Sequence, residues 1–281
     1  MKKSISNIIL SGERPLYASR DLRLERVTIG EGESGLKESR HIVAVECDFQ
    51  GKYVIWECED VECRHCHFAD SDRAPLWYNR NIRLSDCLID APKAFREVDA
   101  LTLERITMTD GEEAFWYCRS GQISDLKIEQ GTYAFMHAKD LRISHLRLIG
   151  KYTFQYTRNI EIHNAVLDTK DAFWNSVDCV IYDSEIKSEY LGWYAENLRL
   201  VRCHLSGTQP LCYCKNLVLE DCSFDPDADR AFEKSSVQAT IRGGITSIVK
   251  PLSGYIRCDA CSEIIRDEIQ TSPGAFKIEI G

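Results

Sequence analysis

No stretch of this sequence stays apolar for the roughly 18 residues that a helix needs to cross a bilayer. An integral helical membrane protein is thereby excluded, and no membrane partner is expected. The N-terminus, Met1-Lys2-Lys3 followed by Ser4-Ile5-Ser6-Asn7-Ile8-Ile9-Leu10, is positively charged but lacks a long apolar segment. It makes a poor export signal and points to a cytoplasmic protein. Positive charge is scarce, with 35 Lys and Arg against 44 Asp and Glu and a formal net charge of −9. The basic residues stand singly, so no basic stripe exists to track a nucleic-acid backbone. Also missing are a Ser-His-Asp order, a glycine-rich phosphate loop and a histidine spacing suited to a metal; no cofactor and no metal are expected.

What the sequence has is a repeat. An apolar residue is followed by others two, five and seven positions on, as in Leu22, Leu24, Val27 and Ile29. Eleven such anchors occur, at Leu22, Ile42, Val61, Ile82, Leu101, Gly121, Leu141, Ile160, Cys179, Leu198 and Leu217, spaced by 19 to 21 residues. A fixed period of this length marks a stack of coils whose core is shared between neighbours. Each Leu-x-Leu reads as a short strand with alternating faces, and the second apolar pair as another. A variable polar segment follows. A third short strand is then expected, carrying a bulky apolar residue six before the next anchor: Phe95, Phe115, Phe135, Phe154 and Phe173 are the run of phenylalanines in that column. The coil closes on Asp or Asn just before the anchor, at Asp21, Asp60, Asn81, Asp140, Asn159, Asp178, Asn197 and Asn216. Those residues tolerate a left-handed backbone at a corner.

Other repeats fit less well. A pentapeptide series from Leu22 and Val27 breaks at Gly32 and Lys37, and Gly32, Lys151 and Thr208 stand where a leucine-rich repeat needs Asn or Cys. A left-handed hexapeptide helix wants a rigid period of about 18. The sequence therefore predicts an all-β chain, a single-stranded right-handed parallel β-helix of 11–12 coils forming a single domain over residues 1–281. Regular coils occupy 16–235; an N-terminal cap (1–15) and C-terminal coils with a cap (236–281) cover the strand edges that a stack would otherwise expose. Within the last segment Ala239-Thr240-Ile241, Tyr255-Ile256-Arg257, Ile264-Ile265 and Phe276-Lys277-Ile278 read as strands.

The 13 cysteines follow the repeat. Cys47, Cys66, Cys87, Cys203 and Cys222 share the third apolar slot; Cys58, Cys118 and Cys214 lie three before an anchor. This is the pattern of small buried residues, and an odd count without an export signal indicates reduced thiols. Cys63 and Cys66 face the core, and Cys258-Asp259-Ala260-Cys261 matches no ribbon or finger spacing.

Four segments, Gly32-Glu33-Ser34-Gly35-Leu36-Lys37-Glu38-Ser39, Ala91-Pro92-Lys93-Ala94-Phe95-Arg96, Asp171-Ala172-Phe173-Trp174-Asn175 and Glu189-Tyr190-Leu191-Gly192-Trp193, resemble landmarks of the DUF3737 family. The resemblance runs through Pro251-Leu252-Ser253-Gly254. It implies a bacterial protein of unknown function with a pectin-lyase-like right-handed β-helix, and it implies no reaction and no catalytic residue.

The residues left without a structural task are aromatic. Five before the anchor stand Tyr17, Trp56, Trp77, Trp116, Trp174 and Trp193; four before it stand Tyr78, Tyr117, Tyr156, Tyr194 and Tyr213. Neighbours in a strand face opposite ways, so at most one of these columns can be buried with the phenylalanines. The other is expected to line an outer face, where flat rings suit stacking on the sugars of an extended glycan. Packing of both columns under the polar segments is the competing reading. Lys37, Glu57, Arg96, Glu97 and His137 interrupt the columns. Glu57 and Glu97 lie two coils apart, about 9–10 Å, near the upper separation for an inverting glycosidase pair. Arg96 with Lys93 could hold an acidic sugar or neutralise charge, unless Arg96 is spent on an ion pair with Glu97 or Glu113. The N-T-D, paired-Asp, G-H-G and R-I-K signatures of polygalacturonase-like enzymes are absent, and Asp70, Asp72, Asp110, Glu112 and Glu113 converge on no evident calcium site. His65, His67, His145, His163 and His204 are expected outward or satisfied. Two functions follow: a carbohydrate-binding or carbohydrate-processing protein, acidic glycans included, or a non-enzymatic scaffold for a protein partner.

Overall fold

The computed structural model describes residues 3–266 and 276–281. The described chain is all β-strand and turn, without a helix, so no helix is long and apolar enough to cross a membrane. It divides into two compact units, Met1–Arg147 and Leu148–Gly281.

In the first unit the strands Lys3–Ser6, Arg20–Glu25, Arg40–Val45, Glu59–Arg64, Arg80–Ser85, Asp99–Met108 and Arg119–Ile128 pair in parallel, one coil on the next. The anchors meet in register: Leu22 opposite Ile42, Ile42 opposite Val61, Val61 opposite Ile82, Ile82 opposite Leu101 and Leu101 opposite Gly121. A one-residue slip would turn every apolar side chain outward, which is why the repeat fixes this register. A second ladder joins Ile29, Phe49, Phe68, Ile89 and Met108. The second unit repeats the scheme. Ile162, Ile181, Leu200 and Leu219 align along one ladder and Leu167, Ile186, Leu205 and Phe224 along another.

The four strand segments read near the C-terminus lie in Ser236–Ile241, Ser253–Cys258, Ala260–Ile265 and Phe276–Ile280. With Lys3–Ser6 these add rungs beyond the anchored coils, and the solenoid runs to about 14 turns where the anchors alone indicated 11–12. Residues 1–2 and 267–275 of the expected caps lie outside the described residues.

The third side of the coil is a series of turns and not the expected strand. Its backbone is left-handed at alternate residues, as at Lys93, Phe95 and Glu97 (φ 59°, 61°, 52°) and at Glu113, Phe115 and Tyr117 (φ 53°, 63°, 58°). Such a conformation is costly for bulky L-residues. It persists because amides still reach the neighbouring coil: Phe115 N–H donates to Ala94 O at 3.1 Å and Tyr78 N–H to Arg96 O at 2.8 Å. The Asp/Asn residues before the anchors all take the left-handed corner, with φ between 51° and 56°.

The core is a stack of similar apolar layers. Phe95, Phe115, Phe135, Phe154 and Phe173 are fully buried, and Phe95–Phe115 and Phe115–Phe135 stack face to face at 4.8 and 4.5 Å. All 13 cysteines are free and 12 are buried. Those three before an anchor do more than fill space. Cys58, Cys118 and Cys214 donate S–H to the carbonyls of Leu36, Phe95 and Gly192 at 2.9, 3.0 and 3.1 Å. In the same column Asn79 and Ser235 serve Ile55 O and Leu211 O. The turn leaves that carbonyl facing inward, and a small donor there spares the cost of an unpaired buried acceptor. Burial pushes the thiols of Cys58, Cys118 and Cys214 up to about 12.

Candidate functional site: the aromatic corner

Because the third side is built of turns, adjacent residues there need not alternate. The residues seven and six before the anchor point inward, as Ala114 and Phe115 do; the next two, Trp116 and Tyr117, both point out; Cys118 returns to the core. Neither aromatic column is therefore buried. Trp56, Trp77, Trp116, Trp174 and Trp193 are half-buried, whereas Tyr78, Tyr117, Tyr156 and Tyr194 are 41–49% exposed.

The tryptophans lie across the coils. The indole N–H donates to a backbone carbonyl of the following coil: Trp77 to Lys93 O, Trp116 to Tyr133 O and Trp193 to Gln209 O, at 2.5, 2.7 and 2.7 Å. In the first unit Trp56 stacks on Trp77 at 5.0 Å. The next position in the row is Arg96, whose guanidinium carbon lies 4.2 Å from the Trp77 ring centroid and 4.6 Å from that of Trp116. Glu113 binds it: Oε2 accepts from Arg96 Nη2 at 3.0 Å and Oε1 from Lys93 Nζ at 2.9 Å. Of the two partners considered from sequence, Arg96 takes Glu113.

The remaining candidates are dispersed along the outer column. Glu57 is exposed and pairs with Lys37 at 3.3 Å. Glu97 is exposed, and its amide donates to Trp116 O at 2.8 Å. Tyr78 occupies the rung between Glu57 and Glu97, which places the two carboxylates two rungs apart. His137 stacks on Tyr117 at 4.7 Å with ring planes 7° apart, and burial lowers its pKa. In the second unit Trp174 and Trp193 lie 5.5 Å apart, and Tyr194 stacks on Tyr213 at 4.9 Å. Tyr156 is exposed on the same column, its amide bound to Trp174 O.

Further aromatic members had not been singled out from the sequence. Tyr53 packs edge-on against Trp56 at 5.0 Å and Tyr190 against Trp193 at 5.2 Å. The signal was present as a Tyr-x-x-Trp spacing in both coils, but it falls in the polar segment rather than in an apolar column.

Two open depressions in the first unit, of about 440 and 230 Å³, lie between Ser11–Glu13 and Glu31–Glu33 and around His41, Asp60, Asn81 and Arg83, away from the aromatic residues. Among the described residues no group of three or more His, Cys, Asp or Glu is placed to hold a metal ion.

Charge also appears away from the corner in the first unit. His67 lies between two carboxylates, with Nδ1 2.9 Å from Asp48 Oδ1 and Nε2 2.9 Å from Asp90 Oδ2, and donates to both when protonated. Burial acts to lower its pKa, but these two carboxylates outweigh it and the pKa is raised. Asp72 is fully buried and neither carboxylate oxygen has a hydrogen-bond partner. Burial pushes its carboxyl well above the usual range, against a weaker pull from the nearby amides of Val54 and Tyr53.

None of the curated proteins matches the sequence. The crystal structure of a periplasmic alginate epimerase is similar over 99% of this chain and 77% of its own, at 10% identity and a TM-score of 0.26. The family of proteins of unknown function DUF3737 matches residues 3–279, and the chain belongs to it.

Proposed function

We propose that the protein is a carbohydrate-binding solenoid whose aromatic corner holds an extended glycan without transforming it. The observation that carries this reading is the pair of outward columns, with exposed tyrosines backed by half-buried tryptophans that their own N–H bonds fix in place. Rings anchored in this way lose little freedom when a sugar packs on them. Tyr78 and Tyr117 stand two rungs apart with Glu97 between them, roughly 9–10 Å by strand spacing. A sugar ring between them can contact one tyrosine on each side while Glu97 accepts from its hydroxyls. Binding is preferred to catalysis because the exposed tyrosines outnumber the carboxylates in the column, and Glu57 is paired with Lys37 at 3.3 Å. The free buried thiols support a reducing, cytoplasmic setting.

A glycan array probed with the wild type and with Tyr78→Ala/Tyr117→Ala tests the reading. Both tyrosines are exposed, so the variant is expected to fold and to lose at least about tenfold in affinity for whichever glycans the wild type binds. Unchanged binding by the variant would refute the site. The second reading, a scaffold for a protein partner, is favoured by the second unit, where Trp174, Trp193, Tyr194 and Tyr213 mostly contact one another.

A further inference from the structure

The Lys93–Glu113–Arg96 group lies within the row of tryptophans. Both faces of the Arg96 guanidinium are covered, by Trp77 and by Trp116. Only its edge remains for polar contact, and Glu113 occupies that edge while also holding Lys93. Arg96 Nε is buried without a hydrogen-bond partner. Two cations thus share one carboxylate, and a buried guanidinium donor, Nε, goes unused. The three side chains keep 20–27% of their surface exposed, so the group is reachable from solvent.

Glu113 reaches this position from the polar segment of the following coil. Its own amide is held by Thr132 O at 2.9 Å, and its neighbour Glu112 is exposed. Lys93 and Arg96 would present the same donors to any two-oxygen anion in its place. A guanidinium clamped between two rings holds its N–H groups in one fixed plane, which matches a carboxylate or sulfate edge, and the ammonium adds a point charge.

We propose that Lys93 and Arg96 form an anion subsite for a sugar-borne carboxylate or sulfate, and that Glu113 is an internal occupant which the incoming group displaces. This rests on the glycan-binding reading of the corner. The consequence runs opposite to an ordinary contact residue: removing Glu113 strengthens binding of acidic sugars.

Tryptophan fluorescence reads the site directly, because Trp77 and Trp116 flank Arg96. Wild type, Glu113→Gln, Glu113→Asp and Glu113→Gln/Arg96→Leu are titrated with galacturonic acid, its trisaccharide, a sulfated galactose disaccharide and a neutral galactose trisaccharide. Glu113→Gln is expected to tighten the acidic sugars by about tenfold and leave the neutral one unchanged. Glu113→Asp, whose shorter arm reaches the cations less well, gains less; Arg96→Leu abolishes the gain. The carboxylate and sulfate arms identify the preferred group. If Glu113→Gln fails to fold, the Glu113→Asp comparison decides alone. Binding of the galacturonic acid trisaccharide that neither Glu113 variant alters overturns the subsite and leaves the glycan reading standing. Tight galacturonic acid binding by Glu113→Gln, with no added affinity for either trisaccharide, keeps the subsite and overturns the glycan reading.

Discussion

The two units build their corners by one rule and put different chemistry into them. In the second unit the row holds two neighbouring rings, Trp174 and Trp193 at 5.5 Å, between Gln155 and Cys212; Tyr213 of the outer column meets Trp193 at 5.3 Å, with Lys170 over Tyr190 at the side. In the first unit a guanidinium takes one place in the row, between two indoles, and a carboxylate from the next coil answers it. Between two indoles the place goes to a flat group, a shape that arginine shares with the aromatic residues while adding charge. The first unit adds charge elsewhere too: besides Arg96 it buries Asp72 and clamps His67 between two carboxylates. The second unit's nearest analogue, Asp171, is 8% exposed, and Lys170 offsets part of the effect of its burial.

If the units share an interior and differ only in charge, the largest mutational effects should be equal. Phe115→Ala and Phe173→Ala each remove a fully buried ring and are expected to cost about 3–5 kcal/mol in urea unfolding. A Phe173→Ala cost below half that of Phe115→Ala would break the comparison. Asp72→Asn sharpens it. A carboxyl with a raised folded pKa penalises folding once the unfolded chain ionises, near pH 4, and the penalty grows as pH rises toward the folded value. The variant should therefore gain about 1–3 kcal/mol over wild type at pH 8 and little at pH 4. Asp171→Asn should gain distinctly less; equal gains would remove the contrast between the units.

The smallest effect belongs to His67. Its raised folded pKa gives a contribution present in full below the unfolded value near 6.5 and lost as pH rises through the folded one. Because Asp48, Asp90 and the ring itself are partly exposed, the contribution is under about 1 kcal/mol. Urea midpoints at pH 5.5 and 8.5 should converge between wild type and His67→Gln at the higher pH. A constant gap would show that the clamp does not titrate.

Much of this was legible in the repeat. The anchors, their register and the Asp/Asn corners follow from apolar spacing and from which residues accept φ above zero, and Leu22, Ile42 and Val61 meet as the period requires. The third side was misread as a strand because Phe115 and Phe135 look like any apolar column. Nothing in their identity signals a left-handed backbone, which is imposed by hydrogen bonds to the adjacent coil. The same feature let both aromatic columns face outward, an outcome that strand alternation did not anticipate. Arg96 could be placed in the row from sequence; its choice of Glu113 over Glu97 could not, since it depends on how the following polar segment folds back.

The column of thiols that donate to inward carbonyls has a use at the bench. Cys58 and Cys118 mark coils of the first unit and Cys214 a coil of the second, each sealed in the core and held protonated. An alkylating reagent can reach such a sulfur only when its own coil opens. Timed labelling followed by peptide mapping would thus give each coil its own clock. The order in which those clocks run would show whether the stack frays from an end or parts in the middle, with no mutation introduced.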